Sequence, residues 1–215
     1  MNTRRTILAG LGALSLGGVL GYAFDRASVP ANRQAYDAQL PNVPLQTHDG
    51  RKVLFQDDLV RDKVVAINMM YLQCTGICPT TTATLRRLQT LLGDRLGRDV
   101  FLYSITLQPE LDTPEALKAY AERYGVRPGW TFLTGTSPDI RRLRYALGFY
   151  DPVPEVDANL GNHTGMLRIG NGATKRWAMA PALCDAERII TTINHLDRRM
   201  VETAYRDNRS LNQAS

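Results

Sequence analysis

The sequence predicts a three-layer α/β domain built around a mixed β-sheet. Two nearly continuous apolar runs, 63–71 and 100–107, are typical of strands that are covered on both faces. A helical pattern follows each run, and alternation of strand and helix is typical of this fold class. A short hairpin and an amphipathic helix then complete the predicted domain.

Composition limits the class of protein. The 215 residues are 44% hydrophobic and 22% charged, which is typical of a single packed domain, and three cysteines are too few for a disulfide framework. The formal net charge of +5 includes Arg4 and Arg5, so the rest of the chain has only a small, dispersed excess of positive charge. We therefore expect no nucleic-acid partner.

Residues 1–23 have the pattern of an export signal. Arg4 and Arg5 precede an apolar stretch from Ile7 to Ala23, and paired arginines in this position indicate the twin-arginine route. The stretch has about 17 residues, at the lower limit for spanning a bilayer, so it is either a cleaved signal or a membrane anchor. We predict a tether at 24–40, the folded domain at 41–206 and a tail at 207–215. The expected location is the periplasm or the extracytoplasmic face of the inner membrane.

The first half of the domain contains a hairpin, a strand and a helix. The Asp49-Gly50 turn between 43–47 and 52–55 predicts an N-terminal β-hairpin. The run 63–71 predicts a central strand. Pro79 suits the first position of the helix that follows. Leucines at spacings of three and four mark its apolar face: Leu85, Leu88, Leu92 and Leu96.

The second half repeats this order. The run 100–107 predicts an interior strand, and Asp112 to Pro114 opens a helix that ends near Gly125. A short strand at 130–133 precedes a helix that begins at 137–139 and reaches about Gly148. A loop at 151–162 leads to two strands, 166–169 and 176–179. The last helix is predicted from an apolar stripe: Ile189, Ile193, Leu196 and Met200.

The chemistry of the chain is concentrated in Cys74-Thr75-Gly76-Ile77-Cys78-Pro79, between the central strand and its helix. With Pro79 in the first helical position, Cys78 lies at the N-cap, where backbone N–H groups and the helix dipole would stabilise its thiolate. The carboxyl end of a central strand is also where α/β sheets bind ligands. Such a cysteine pair can bind a metal ion or cycle through a disulfide.

These residues resemble the SCO/SenC family, whose members have a thioredoxin fold, are tethered on the outer side of a membrane and deliver copper to the CuA centre of cytochrome c oxidase. The resemblance is carried by 63–71 leading into Cys74-x-x-x-Cys78-Pro79, and it extends to 111–115, 133–136 and 163–165. It implies a thioredoxin-like sandwich with helices on both faces of the sheet. It also implies that Cys74, Cys78 and His163 bind copper, and two thiolates with one imidazole suit both Cu(I) and Cu(II).

Other residues depart from the family pattern or raise separate questions. Asn162 and Gln108 stand where the family usually has acidic residues, a difference that can weaken Cu(II) binding or change the preferred oxidation state. We interpret Cys184 as a buried small residue, the alternatives being a third sulfur near the site or a resolving thiol. We interpret Met166 and Met179 as core residues, although a thioether can bind Cu(I). No role is predicted for two further histidines, His48 and His195.

We therefore predict a copper metallochaperone for an extracytoplasmic cuproenzyme such as the CuA subunit of cytochrome c oxidase. Its thiols must be reduced before loading, which implies an extracytoplasmic thiol reductant. The alternative is a thiol-disulfide oxidoreductase with Cys74 and Cys78 as the catalytic, redox-active pair. Against this enzyme, the thioredoxin motif has two residues between its cysteines and a proline opposite them, whereas 160–166 contains no proline. A copper or redox sensor would use the same three residues.

Overall fold

The computed structural model of the protein describes residues 40–197. The predicted signal segment, the tether up to residue 39, the end of the predicted domain at 198–206 and the tail lie outside the described residues. Within 40–197, no helix combines the length and apolar character needed to cross a membrane.

A mixed sheet of seven strands forms the middle layer, in the order β2-β1-β5-β4-β3-β6-β7. The three central strands, β5, β4 and β3, run parallel, and the strands outside them pair antiparallel. The strands are β1 Pro44–Thr47, β2 Lys52–Leu54, β3 Val64–Met70, β4 Val100–Thr106, β5 Trp130–Gly135, β6 Met166–Asn171 and β7 Arg176–Pro181. The predicted mixed sheet and N-terminal hairpin are both present.

Helices cover both faces of this sheet, as predicted. They are α1 Ile77–Leu92, α2 Pro114–Arg123, α3 Ser137–Ala146, α4 Pro154–Asp157 and α5 Ala186–Leu196. Helices α1, α2 and α5 pack on one face. Helix α3 and a π-helical segment, Phe55–Val60, pack on the other.

Strand β3 lies within the apolar run 63–71, and its two buried faces require apolar side chains at nearly every position. All seven of its residues are buried, and alternate side chains enter the cores on opposite faces of the sheet. Ala66 and Met70 join the core beneath α1, whereas Ile67 and Met69 join the core beneath α3. A strand with two buried faces fixes the position of its carboxyl end, from which the cysteine-bearing loop continues.

The structure differs from the sequence-based predictions at several element ends. Phe55 begins the π-helical segment instead of ending a strand. Thr136, one residue before the predicted start, caps α3 by accepting the Asp139 N–H at 3.3 Å. The predicted loop 151–162 contains α4 and the start of a 3-10 turn, Leu160–His163. Pro154 at the start of α4 is compatible with a helix because the first helical N–H groups need no helical partner.

Candidate functional site

Cys74 and Cys78 lie together in the cysteine loop, residues 71–78, which runs from the end of β3 into the first two residues of α1. The side chains are 9% and 2% exposed, and the Cys78 N–H donates to Cys74 Sγ at 3.4 Å. Neither cysteine forms a disulfide. The carboxyl end of the central strand and the first turn of α1 thus place two thiols next to each other beneath the surface.

The two thiols differ in acidity, and Cys78 is the less acidic of the two. Burial, and after it the hydrogen bond with Cys74, raise the pKa of the Cys78 thiol to about 12. Burial also raises the pKa of Cys74, but hydrogen bonds from the Cys78 thiol, from the N–H groups of Cys78 and Gly76 and from the Tyr71 hydroxyl bring it below the ordinary value.

The predicted stabilisation of a Cys78 thiolate is therefore wrong. Helix α1 begins at Ile77 with Gly76 as its N-cap, so Pro79 is its third residue and Cys78 its second. Cys78 is consequently drawn into the apolar core, where desolvation outweighs the helix dipole. The N–H groups of Gly76 and Cys78 instead stabilise negative charge on Cys74.

Asp112 supports the cysteine loop from the neighbouring strand connection. Its side chain is 1% exposed and its Oδ2 accepts both the Leu72 N–H, at 3.1 Å, and the Thr106 hydroxyl. Burial raises the pKa of this carboxyl, and those two hydrogen bonds oppose the increase. The sequence around Asp112 predicts only the start of a helix, and no local pattern indicates its link to Leu72.

His163 ends the 3-10 turn and is 3% exposed. Its Nε2 lies 2.7 Å from Arg144 Nη1 and 2.8 Å from the Asp157 carbonyl oxygen. Arg144 also pairs with both carboxylate oxygens of Asp157, at 2.8 and 2.7 Å. No local sequence pattern indicates Arg144 or Asp157, since their contact with His163 depends on how α3 and α4 are placed.

The structure places the segment that carries His163 beside the two thiols. It does not bring together a complete set of metal ligands among the described residues. The Thr164 side chain lies near enough to Cys78 to lower the pKa of its thiol, and its hydroxyl donates to the Gly161 carbonyl at 3.0 Å. The Gly165 carbonyl accepts the Ala182 N–H at 2.9 Å, and a Cβ built at Gly165 would lie 3.0 Å from Ile77 Cδ1. Within residues 40–197, however, no three His, Cys, Asp or Glu side chains are grouped closely enough to hold a metal ion.

Several secondary predictions can be compared with the structure. Cys184 is half-buried, not fully buried, and its thiol donates to the Pro181 carbonyl at 3.0 Å. Met179 is exposed, contrary to the prediction of a core residue, because β7 is an edge strand. Met166 is half-buried and, with Met179 and His163, lines a cavity of about 110 Å³.

The histidines without a predicted role make local contacts. Nδ1 of His48 accepts the Phe132 N–H at 3.1 Å, and burial lowers the pKa of this imidazole. His195 is exposed on α5, with Nδ1 2.8 Å from the Thr191 carbonyl oxygen. Both contacts are with the backbone. Neither residue is needed to explain the cysteine site.

Comparison with known proteins identifies the family. The SCO1/SenC family model matches residues 37–197, most of the chain. The chain belongs to the SCO1/SenC family. A relative in Stutzerimonas stutzeri, named as a candidate copper-binding protein, is 34% identical over 125 residues, 56% of this chain and 60% of that protein. The chain thus spans less than two thirds of the length of that relative.

Solved SCO structures support the same fold. BsSco, titled a member of the Sco family of cytochrome c oxidase assembly proteins, has a TM-score of 0.61 at 22% identity, over 74% of this chain and 94% of that chain. Bradyrhizobium japonicum ScoI with copper bound has a TM-score of 0.56 at 20% identity, over 73% of this chain and 99% of that chain. The predicted thioredoxin-like fold is confirmed.

Proposed function

We propose that this SCO1/SenC protein is a copper metallochaperone that holds its cargo at Cys74 and Cys78, with His163 as a further ligand. The observation that carries the proposal is the adjacent pair of free thiols at the junction of β3 and α1. Thiolates are soft ligands that favour Cu(I), and an imidazole helps to satisfy Cu(II). The candidate copper-binding relative and the copper-bound ScoI structure support the same cargo.

The proposed acceptor is an extracytoplasmic cuproenzyme, with the CuA site of cytochrome c oxidase as the first candidate. The description of BsSco as an oxidase assembly protein supports this choice. Copper would pass by ligand exchange, as cysteine and histidine side chains of the acceptor replace Cys74 and Cys78 one at a time. The pattern of residues 1–23 supports an exported protein held at the membrane, where a thiol reductant would keep both cysteines reduced.

Copper binding by single-site variants tests this proposal. The reduced full-length protein should bind about one Cu(I) per chain, and Cys74→Ser or Cys78→Ser should lower its affinity at least about a hundredfold because one of two thiolate ligands is lost. His163→Ala should weaken Cu(II) binding more than Cu(I) binding. Cys184→Ser and His195→Ala are the matched controls and should leave both affinities unchanged. Full copper binding after Cys78→Ser would contradict the proposal.

The unequal acidity of the two thiols favours a second candidate function, reduction of a disulfide in an apo-cuproprotein. The Cys74 thiolate would attack the substrate disulfide and release one substrate thiolate. Cys78 would then resolve the mixed disulfide, leaving the substrate with two thiols and the protein with a Cys74–Cys78 disulfide. Cys78→Ser should trap the mixed disulfide, and Cys74→Ser should not. Disulfide reduction that persists while copper binding is absent would favour this enzyme over the chaperone.

A further inference from the structure

Three side chains on the far side of the histidine segment form a closed network, which we name the histidine latch: Arg144, Asp157 and His163. The carboxylate of Asp157 accepts hydrogen bonds from both terminal nitrogens of Arg144, and both side chains are 11% exposed. The Asp151 N–H and the Tyr145 hydroxyl donate to the same carboxylate at 2.9 and 2.7 Å. The charges of the arginine and the aspartate are therefore mutually compensated and fixed in place.

Arg144 and Asp157 both contact His163 at its Nε2 nitrogen. Arg144 can only donate a hydrogen bond and the Asp157 carbonyl can only accept one, yet both lie within 2.8 Å of Nε2. With Nε2 unprotonated, its lone pair accepts from Arg144. With Nε2 protonated, its N–H donates to the carbonyl. In either tautomer, a protein atom fills the in-plane position at Nε2 that a metal ion would need.

We infer that the histidine latch holds His163 out of the copper site and thereby makes the reduced protein selective for Cu(I) over Cu(II). This inference rests on the proposed function. Cu(I) is satisfied by two thiolates, which Cys74 and Cys78 provide without any movement of His163. Cu(II) prefers three or four ligands that include nitrogen, so its binding through Nε2 of His163 requires this nitrogen to leave Arg144 and Asp157. The free energy needed to open the latch is therefore subtracted mainly from the binding of Cu(II).

Thr164 links the segment that carries His163 to the cysteine site. Thr164 already lies against Cys78, while its neighbour His163 is directed to Arg144. Arg144 and Asp157 act through His163 and are positioning residues.

The test compares copper affinities in the reduced full-length protein without oxygen. The double variant Arg144→Gln/Asp157→Asn removes the guanidinium that contacts His163 and the carboxylate that fixes this guanidinium, and it leaves no unpaired charge behind; the Asp157 backbone carbonyl remains. Tyr145→Phe is the matched control, because its hydroxyl donates to the same carboxylate but not to His163. Competition with chelators gives the Cu(I) and Cu(II) affinities, and electron paramagnetic resonance verifies that copper stays Cu(II) and detects nitrogen coordination.

We expect the double variant to bind Cu(II) about tenfold more tightly, the size of one lost charge-assisted hydrogen bond, with Cu(I) affinity within about threefold of wild type. Adding His163→Ala should remove the gain, and Tyr145→Phe should behave as wild type. An unchanged Cu(II) affinity, or a gain that survives His163→Ala, overturns the latch while leaving the proposed function intact. A wild-type protein that binds neither copper ion overturns both.

Discussion

The two parts of the proposed copper site are built in different ways. The cysteine loop lies between a strand with two buried faces and a long helix, and its thiols contact each other. The histidine loop, residues 154–165, consists of one short helix, one 3-10 turn and connecting residues, and its histidine is held by charged groups from α3 and α4. The two thiols therefore already lie next to each other, whereas the imidazole is hydrogen-bonded to Arg144 and Asp157.

In the proposed site, this difference combines a ligand pair that is already in place with a third ligand that must first be released. Buried apolar contacts and the hydrogen bonds of Asp112 fix the cysteine loop, and these contacts do not depend on the cargo. The position of His163 depends on polar contacts, which a change of a few kcal/mol can exchange for others. The following predictions test the contrast, beginning with the largest expected effect.

Alkylation should distinguish the two thiols most strongly. At pH 8, iodoacetamide should label Cys74 at least about a hundredfold faster than Cys78, because the thiolate is the nucleophile and the pKa of Cys78 is raised to about 12. The lowered pKa of Cys74 and its greater exposure act in the same direction. Time-resolved labelling with peptide mass mapping measures both rates, and a Cys184→Ser background removes the third thiol. Equal rates would show that the loop does not separate the two cysteines.

Removal of Asp112 should weaken the cysteine loop. Asp112→Ala leaves the Leu72 N–H and the Thr106 hydroxyl without their acceptor, so we expect a loss of about 2 kcal/mol in the free energy of unfolding. Amide exchange at Leu72 should become faster. Thr113→Ala is the control, since it removes the adjacent cap of α2 at a cost of about 1 kcal/mol. A Thr113 variant that accelerates exchange at Leu72 equally would rule out a specific role for Asp112.

The sequence predicted the cysteine half better than the histidine half for a physical reason. Strand, turn and helix around Cys74 and Cys78 are consecutive, so periodicity and the Cys-Pro junction indicate them directly. The support from Asp112 comes from a residue 40 positions beyond Leu72, and the contact of Arg144 with His163 joins residues 19 positions apart. Only the packed sheet brings such residues together. The wrong prediction for Cys78 has a similar origin, because burial, which the sequence does not give, outweighs the helix dipole.

Acid should affect the two loops in opposite directions. Burial raises the pKa of Asp112 above 3.8, so the native state disfavours its carboxylate and gains stability relative to Asp112→Asn as the pH falls towards 3.8. Hydrogen bonds from Arg144 lower the pKa of Asp157, so its contribution is complete above pH 3.8 and is lost as the pH falls below that value. Urea unfolding of the wild type, Asp112→Asn and Asp157→Asn from pH 2.5 to 6 measures both slopes. Slopes of the same sign would contradict the assigned environments.

Asn162 should give the smallest effect, and it separates two explanations for the weak Cu(II) binding that the latch predicts. Its Nδ2 donates to the Val156 carbonyl at 2.8 Å, and Asn162→Asp replaces this exposed donor with a carboxylate. We expect a loss of about 0.5 kcal/mol in unfolding free energy, because water can hydrate both groups. With the latch intact, Cu(II) affinity should stay within about twofold of wild type. A tenfold gain from Asn162→Asp alone would instead mean that the missing carboxylate, and not the latch, limits the binding of Cu(II).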